Sequence, residues 1–196
     1  MISIFYNKQD LKDTMLVCFN DKECNNIDQK KERVILKNND EIVGINIFNV
    51  SQHINLKEGY LYPNDEILDF IYKLTKIKIE NNSPNFQICE IIKCDEIKGT
   101  HLKECTVKTN EDKTLNIVCG ASNAREGLKT VLANIGTFMP DGNYIKKGLL
   151  QKKESYGMLC SYKELFLKEK KDVFGIIELP KTSIVGDEYK QHYSNF

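Results

Sequence analysis

The side chains in this sequence that could bind a ligand are mostly lysines, concentrated towards the C-terminal end. Residues 144–171 contain eight lysines and three glutamates, a local net charge of +5 in a chain whose 28 basic and 28 acidic residues balance. Lysine ammonium groups attract phosphate oxygens, so this stretch predicts a basic face for a polyanion. The alternative is a solvated sheet edge that lysines protect from pairing with other strands. The eight are Lys146, Lys147, Lys152, Lys153, Lys163, Lys168, Lys170 and Lys171.

Four of these lysines, Lys146, Lys147, Lys152 and Lys153, lie on or beside one predicted strand and the turn that follows it. Strand side chains alternate between the two faces, so one member of each adjacent pair can point outward. We therefore expect at least two of these lysines to reach solvent together and to contact phosphates.

A second candidate is the segment made of Ser155, Tyr156, Gly157 and Met158, at the start of a later predicted strand. A glycine at this point would let a ligand approach the backbone closely, and methionine offers an adaptable apolar contact. The segment therefore predicts a contact patch. The alternative is an ordinary turn in which Met158 packs into the core.

A third candidate is the loop after the apolar run TLNIVCG, where Asn123 follows small residues. Backbone N–H groups of such a loop can approach a phosphate, and the Asn123 amide supplies one donor group and one acceptor. Arg125 and Lys129 follow closely and add positive charge. Alternatively, Asn123 stabilises its own turn by bonding the local backbone.

No catalytic or metal-binding pattern accompanies these candidates. The seven cysteines are an odd number without a C-x-x-C pair, which favours reduced, mostly structural thiols over a zinc or redox motif. An enzyme with Cys119 or Cys160 as nucleophile and His101 as base is the main alternative. Both cysteines lie in apolar runs, which raise the pKa of a thiol, so we predict no enzyme, no metal and no cofactor.

The N-terminal residues MISIFYNKQD lack the apolar stretch of a signal peptide, and no later run approaches the length of a membrane span. The sequence therefore predicts a cytoplasmic protein that does not enter a membrane.

The elements that must position the candidate residues fall into two halves. The first contains the apolar runs ISIFY, TMLVCF, RVILK and EIVGINIF, which predict four strands, followed by helical spacing over residues 64–80 with Asn64 as N-cap. The turn-like segment NNSP at residues 81–84 marks a boundary. We predict an α+β domain over residues 1–84 and a second domain over residues 85–196.

The second half reads as a small closed β-barrel. Six strand-like runs cover residues 86–94, 102–109, 114–120, 130–136, 144–150 and 156–161, with glycines between them, and FGIIELP near residue 177 could add a strand. Many short strands at close spacing favour a barrel over a helical domain.

Two runs, TLNIVCGASNAREGLKTVLANIGTFMP at residues 114–140 and YIKKGLLQKKESYGMLCSYKELFL at residues 144–167, resemble the tRNA-binding module at the front of the bacterial phenylalanyl-tRNA synthetase beta chain and at the end of many methionyl-tRNA synthetases. The first half, with FYNK at residues 5–8 and GINIFN at residues 44–49, resembles the front domain of freestanding YtpR-type tRNA-binding proteins. The shared landmarks are Ile117-Val118-Cys119-Gly120-Ala121, Asn123, Glu126-Gly127, Ile145-Lys146, Ser155-x-Gly157-Met158 and Ser161 followed by Lys163-Glu164-Leu165.

This resemblance implies that the second domain is an OB-fold, a five-stranded Greek-key barrel, and that the protein binds tRNA by backbone and shape without aminoacylating it. The contact residues implied or supported by it are Asn123, Arg125, Lys129, Lys146, Lys147, Lys152, Ser155, Gly157, Met158 and Ser161. One departure is in the first loop, where the family often has His-Pro-x-Ala/Ser-Asp-x-Leu. Residues 97–102 read IKGTHL instead, without the proline and the acidic residue.

Two further predictions concern partners. The first domain has no assigned task and could bind a protein partner, and a module that docks a synthetase or ribosomal protein is the alternative to tRNA binding. A homodimer is a further expectation, because related stand-alone modules can pair.

Overall fold

The computed structural model describes residues 1–80, 84–110, 113–167 and 173–194, and this part of the chain is mostly β. It divides into two units. One contains the described residues up to Glu80 together with Tyr193 and Ser194, and the other contains those from Pro84 to His192. Residues 81–83 of the predicted boundary lie outside the described part, as do Lys168, Lys170 and Lys171 of the basic stretch.

The first unit is built on a six-stranded antiparallel sheet with the order β3-β4-β5-β2-β1-β6. The four predicted strands are confirmed as β1, β2, β4 and β5. Strands β3 and β6 were not predicted, because β3 is an edge strand exposed on both faces and β6 has only three residues. The strands are β1 Ser3–Asn7, β2 Thr14–Cys18, β3 Asn26–Lys30, β4 Arg33–Asn38, β5 Glu41–Phe48 and β6 Gly59–Leu61.

One α-helix, α1, spans Asp65–Thr75 and a short 3-10 turn spans Val50–Gln52. The predicted N-cap is confirmed, since the Asn64 side chain accepts a hydrogen bond from the Ile67 N–H at 3.0 Å. The helix ends before the predicted residue 80 because Lys76 adopts a left-handed conformation, with φ of 63°. Ile67 and Ile71 are fully buried in the same core cluster as the inward residues of the sheet.

The second unit has a five-stranded sheet with the order β13-β10-β7-β8-β9 and a separate hairpin of β11 and β12. All six predicted runs contain a strand, although the fifth and sixth contribute only three and two residues. The strands are β7 Phe86–Glu96, β8 Lys103–Lys108, β9 Thr114–Cys119, β10 Lys129–Ala133, β11 Gly148–Leu150, β12 Lys153–Ser155 and β13 Met158–Leu159.

The run FGIIELP does not form a regular strand. Ile176 makes an isolated bridge with Ser161, and the Ile177 N–H donates to the Cys160 carbonyl at 2.8 Å. The Leu179 N–H donates to the Lys129 carbonyl at 2.9 Å. This segment therefore crosses β10 and the end of β13 with isolated hydrogen bonds only.

The five-stranded sheet curls into a half-barrel of OB-like form. The segment that leads into β13, at one end of the sheet, also bonds β9 at the other end. The Tyr156 N–H donates to the Asn116 carbonyl at 2.9 Å, and the Val118 N–H donates to the Ser155 hydroxyl at 3.1 Å. Inside the curl lies an apolar core that includes Ile91, Val107, Ile117 and Leu132.

Across the described residues, no helix is both long and apolar enough to cross a membrane.

Candidate nucleic-acid interface

The hairpin of β11 and β12 brings the predicted lysines together. Lys146 and Lys147 precede β11, Lys152 lies in the turn, and Lys153 begins β12; all four are exposed. In the hairpin register Leu150 pairs with Lys153 and Gly148 pairs with Ser155. The prediction that several of these lysines reach solvent together is confirmed.

The turn of this hairpin has a strained backbone. Gln151 and Lys152 have φ values of 50° and 63°, the left-handed conformation that two-residue hairpin turns usually fill with Asn-Gly. A residue with a side chain pays about 1 kcal/mol or more in this conformation. The turn therefore holds Lys152 at the exposed tip at some cost in stability.

The two faces of the hairpin differ in exposure. Residues directly opposite each other share a face, so Leu150, Lys153 and the buried Ser155 lie on one face. The Lys153 ammonium on this face bonds the Glu104 carboxylate of β8 at 2.8 Å. The opposite face carries Leu149, which is 71% exposed.

The outer face of the hairpin combines a cation, an aromatic ring and a carboxylate. The Lys147 Nζ lies 2.5 Å from the Glu154 Oε1 and 4.9 Å from the centroid of the Tyr156 ring. The hydrogen bonds of the Lys147 ammonium with Glu154, and to a lesser extent with Tyr156, raise the pKa of Lys147. The Lys146 Nζ lies 5.8 Å from the Tyr144 ring centroid. Glutamates thus partly neutralise Lys147 and Lys153.

The predicted loop residues Asn123 and Arg125 hold another part of the chain. The Asn123 side chain accepts from the Ile176 N–H at 2.9 Å and donates to the Ile176 carbonyl at 2.9 Å. The Arg125 guanidinium forms two bonds with the Glu178 carboxylate, at 2.8 and 2.7 Å. The Asn123 amide also donates to the Glu178 Oε1 at 3.1 Å. The bonds that Glu178 accepts from Arg125 and, to a lesser extent, from Asn123 lower its pKa to about 2.

Gly175 fits closely against Asn123. A Cβ atom at Gly175, whose φ is 92°, would lie 2.2 Å from the Asn123 Oδ1. Asn123 therefore fixes a segment 53 residues away, and neither of the two sequence interpretations anticipated this contact.

Lys129 has a similar structural contact. Its ammonium donates to the carbonyls of Lys181 and Ser183 at 2.6 and 2.7 Å. The contacts of Asn123, Arg125 and Lys129 stabilise the loops around β10. Their assignment to RNA contact stays a prediction.

The segment around β13 also makes hydrogen bonds and close packing contacts within the protein. The Ser155 hydroxyl accepts from the Val118 N–H and donates to the Gly157 carbonyl at 3.2 Å. Gly157 has a φ of 145°, and a Cβ there would lie 2.8 Å from both the Ala133 carbonyl oxygen and the Leu132 Cδ1. The close approach at Gly157 is therefore made by β10.

Met158 and Ser161 complete the set of predicted residues. Met158 is half-buried and pairs with Ala133. The Ser161 hydroxyl donates to the Glu164 carboxylate at 2.7 Å, and the Ser161 N–H donates to the same oxygen at 2.6 Å. Contact of tRNA with these two residues stays a prediction.

Sequence reasoning missed Asn116 and Glu104, which attach the hairpin to the sheet. The Asn116 side chain donates to the Glu104 carboxylate and to the Glu154 carbonyl, both at 3.0 Å. The hydrogen bond from Lys153 is the largest contribution that lowers the pKa of Glu104. A polar residue in the middle of the apolar run TLNIVC was the available signal for Asn116.

The structure gives no support to Cys119 or Cys160 as a catalytic nucleophile. Burial raises the pKa of Cys160 well above its ordinary value, and burial likewise raises the pKa of Cys119. Within the described ranges, no group of three or more His, Cys, Asp or Glu side chains is placed to hold a metal ion.

A curled OB-like half-barrel that carries exposed lysines and an exposed leucine on a hairpin, with a half-buried tyrosine next to it, is typical of nucleic-acid-binding modules. Residues 86–188 match the family described as "Putative tRNA binding domain", and the chain belongs to this family.

Similar proteins cover nearly the whole chain or about two thirds of it. A Mycoplasma genitalium protein described as "Uncharacterized protein MG449" is 36% identical over 99% of this chain and 90% of its own length. A Bacillus subtilis protein named "Putative tRNA-binding protein YtpR" is 32% identical over 96% of this chain and 100% of its own length. The phenylalanine–tRNA ligase beta subunit of Rickettsia prowazekii is 52% identical over 68% of this chain but only 17% of its own length.

Proposed function

We propose that this protein binds tRNA without catalysing a reaction on it, through the OB-type second unit. The family match over residues 86–188 is the observation that carries the proposal. The relatives named for tRNA binding and for phenylalanine–tRNA ligation agree with it. The raised pKa values of the Cys119 and Cys160 thiols count against the alternative in which one of these cysteines is a catalytic nucleophile. A cytoplasmic location follows from a tRNA ligand.

The fold supports a finer structural assignment. The strand order β13-β10-β7-β8-β9 and the bonds between the segment before β13 and β9 favour a five-stranded Greek-key OB barrel. The first unit combines one sheet with helix α1, which is the basis for describing it as α+β. We place the boundary between the two domains at residues 84 and 85.

We assign the main RNA contact to the hairpin and the residues just before it. Lys146 and Lys152, both exposed, would meet phosphates directly. On the outer face, Leu149 and Tyr156 would pack against ribose or base surfaces, as aromatic and apolar groups do in OB-folds. Lys147 would have to exchange its Glu154 contact for a phosphate.

The remaining predicted residues would act by shaping the surface beside the hairpin. Because Asn123, Arg125 and Lys129 bond the segment from Ile176 to Ser183, substitutions there would move the loops that border β10. Ser155, Gly157 and Ser161 have equivalent bonds or packing within the unit. Met158, half-buried in β13, is the member of that group best placed for direct contact.

The first unit is the candidate for a protein partner or for a second copy of the chain. Strand β3 is an edge strand, and its Ile27 side chain is 54% exposed. Exposed edges are sites of strand addition. Analytical ultracentrifugation of the full chain tests the homodimer, and a single monomeric species at micromolar concentration would rule it out.

A filter-binding titration of total tRNA at two salt concentrations tests the proposed function, with duplex DNA of similar length as competitor. We expect saturable binding that weakens with salt and that duplex DNA does not displace. Binding that DNA displaces equally well would indicate charge attraction alone. The absence of binding at low salt would contradict the proposal.

A further inference from the structure

Two cysteines of the second unit face each other across neighbouring strands. Cys94 lies near the end of β7 and Cys105 lies in β8, and the register of the two strands places them directly opposite. Their Sγ atoms are 3.4 Å apart. Both side chains belong to the apolar inner face of the curled sheet, so they point to the same side.

The backbone geometry at this pair suits a disulfide. The Ile97 N–H donates to the Leu102 carbonyl, which makes those two residues a hydrogen-bonded pair. Hydrogen-bonded and non-hydrogen-bonded pairs alternate along an antiparallel ladder. Cys94 and Cys105 lie three pairs beyond Ile97 and Leu102, so they form a non-hydrogen-bonded pair. Cα atoms in such pairs are about 4.5 Å apart. This spacing falls within the range of about 4.4–6.8 Å found for disulfides.

The two thiols differ in accessibility. Cys94 is half-buried, whereas Cys105 is completely buried. Burial, followed by the hydrogen bond with Cys94, raises the pKa of Cys105. An oxidant in solution can therefore reach Cys94 first, and Cys105 stands in contact behind it as the second thiol.

The other cysteines lack this combination of contact and access. Cys89 and Cys160 are fully buried, and the pKa of each is raised by burial. Cys119 lies close enough to Cys94 and Cys105 to affect the pKa of Cys105, but its sulfur accepts a hydrogen bond from the Ala121 N–H at 3.4 Å. Cys18 is half-buried and Cys24 is exposed, and both lie in the first unit.

We propose that Cys94 and Cys105 form a reversible dithiol–disulfide site that is oxidised by peroxides. The Cys94 thiolate attacks one peroxide oxygen, the O–O bond breaks, and the leaving hydroxide takes up a proton to give water and a Cys94 sulfenic acid. The Cys105 sulfur then attacks the Cys94 sulfur. The S–O bond breaks, and the leaving hydroxide takes the Cys105 proton as a second water.

The site is separate from the hairpin that we assign to tRNA. The disulfide would tie β7 to β8 beside the loop at residues 97–102, where the sequence departs from its family. Its formation requires no displacement of either strand, because the two residues are already paired. Oxidation of this site can therefore be measured without tRNA.

The test is oxidation of the full-length reduced protein by hydrogen peroxide, followed by alkylation in denaturant and peptide mass spectrometry. We expect one intramolecular disulfide that joins the peptides of Cys94 and Cys105, a protein lighter by two hydrogen atoms, and complete reversal by dithiothreitol. Cys94→Ser should abolish this species. Cys24→Ser, the control at an exposed thiol, should leave its yield unchanged.

Cys105→Ala provides a positive readout that does not depend on disulfide formation. In this variant Cys94 should stop at the sulfenic acid, which a dimedone probe traps. A wild-type disulfide that contains Cys119 or Cys24 would overturn the proposal, even if the variants failed to fold. Persistence of both Cys94 and Cys105 as free thiols while other cysteines oxidise would overturn it as well.

Discussion

Two single substitutions in the turn between β11 and β12 distinguish the effect of backbone strain on stability from the effect of charge on tRNA binding. Gln151 and Lys152 both have left-handed φ values, and a side chain there costs about 1 kcal/mol or more. Glycine avoids this cost but loses more entropy on folding, roughly 0.5 kcal/mol or more. We therefore expect Gln151→Gly and Lys152→Gly each to raise the free energy of unfolding by about 0.5 kcal/mol.

The same two substitutions should have different effects on the affinity for tRNA. Lys152→Gly removes a cation from the tip, and one exposed phosphate contact contributes roughly 1 kcal/mol, or about a fivefold change in affinity. The slope of log K against log salt should fall by about 0.7–0.9. Gln151→Gly changes no charge, so its affinity and its salt slope should equal those of the wild type.

Urea unfolding and salt-dependent filter binding measure these two effects on the same preparations. Equal losses of affinity in the two variants would show that the backbone of the turn matters more than the Lys152 charge. A wild-type salt slope for Lys152→Gly would show that Lys152 contacts no phosphate.

Three further predictions concern other contacts of the second unit. Glu154→Gln should release Lys147 from its carboxylate and tighten tRNA binding about threefold in the same assay, and weaker binding would contradict this. Gly157→Ala should lower the free energy of unfolding, measured in urea, by about 2–4 kcal/mol, because its Cβ would lie 2.8 Å from the Ala133 carbonyl oxygen. The control Gly142→Ala, which has open space around the new Cβ, should lower it by only about 1 kcal/mol. Equal losses in the two variants would show that close packing at Gly157 is not the cause. The pKa of Glu178, about 2 in the folded protein, lies below its usual value, so its contribution to stability is present above about pH 4.5 and is lost as the pH falls towards 2. Glu178→Gln should flatten the pH dependence of unfolding in that window, and an unchanged profile would show that the Arg125 pair contributes nothing.

Local patterns were sufficient to predict the elements with strong apolar periodicity. The four apolar runs of the first half and helix α1 follow the expected periods because one face of each is buried. Strand β3 gave no such signal. Both of its faces are exposed, and only its pairing with β4 holds it in the sheet.

The candidate site was predictable in its charges but not in its contacts. The exposed lysines around the β11–β12 turn follow from composition and alternation. The bonds from Asn123 to Ile176 and from Arg125 to Glu178 join residues more than fifty positions apart, and no local pattern reports them. Gly157 was interpreted as an opening for a ligand, whereas the space beside it is filled by Ala133 and Leu132.

We propose that tRNA binding depends on the hairpin of the second unit and not on positive charge in general. The most direct test compares Lys146→Glu/Lys152→Glu with Lys30→Glu/Lys31→Glu, a control with the same charge change at exposed lysines of the first unit. We predict that the hairpin variant binds tRNA roughly 30-fold more weakly, which corresponds to about 2 kcal/mol, while the control stays within about twofold of the wild type. Equal losses in the two variants, or wild-type affinity of the hairpin variant, would contradict the account.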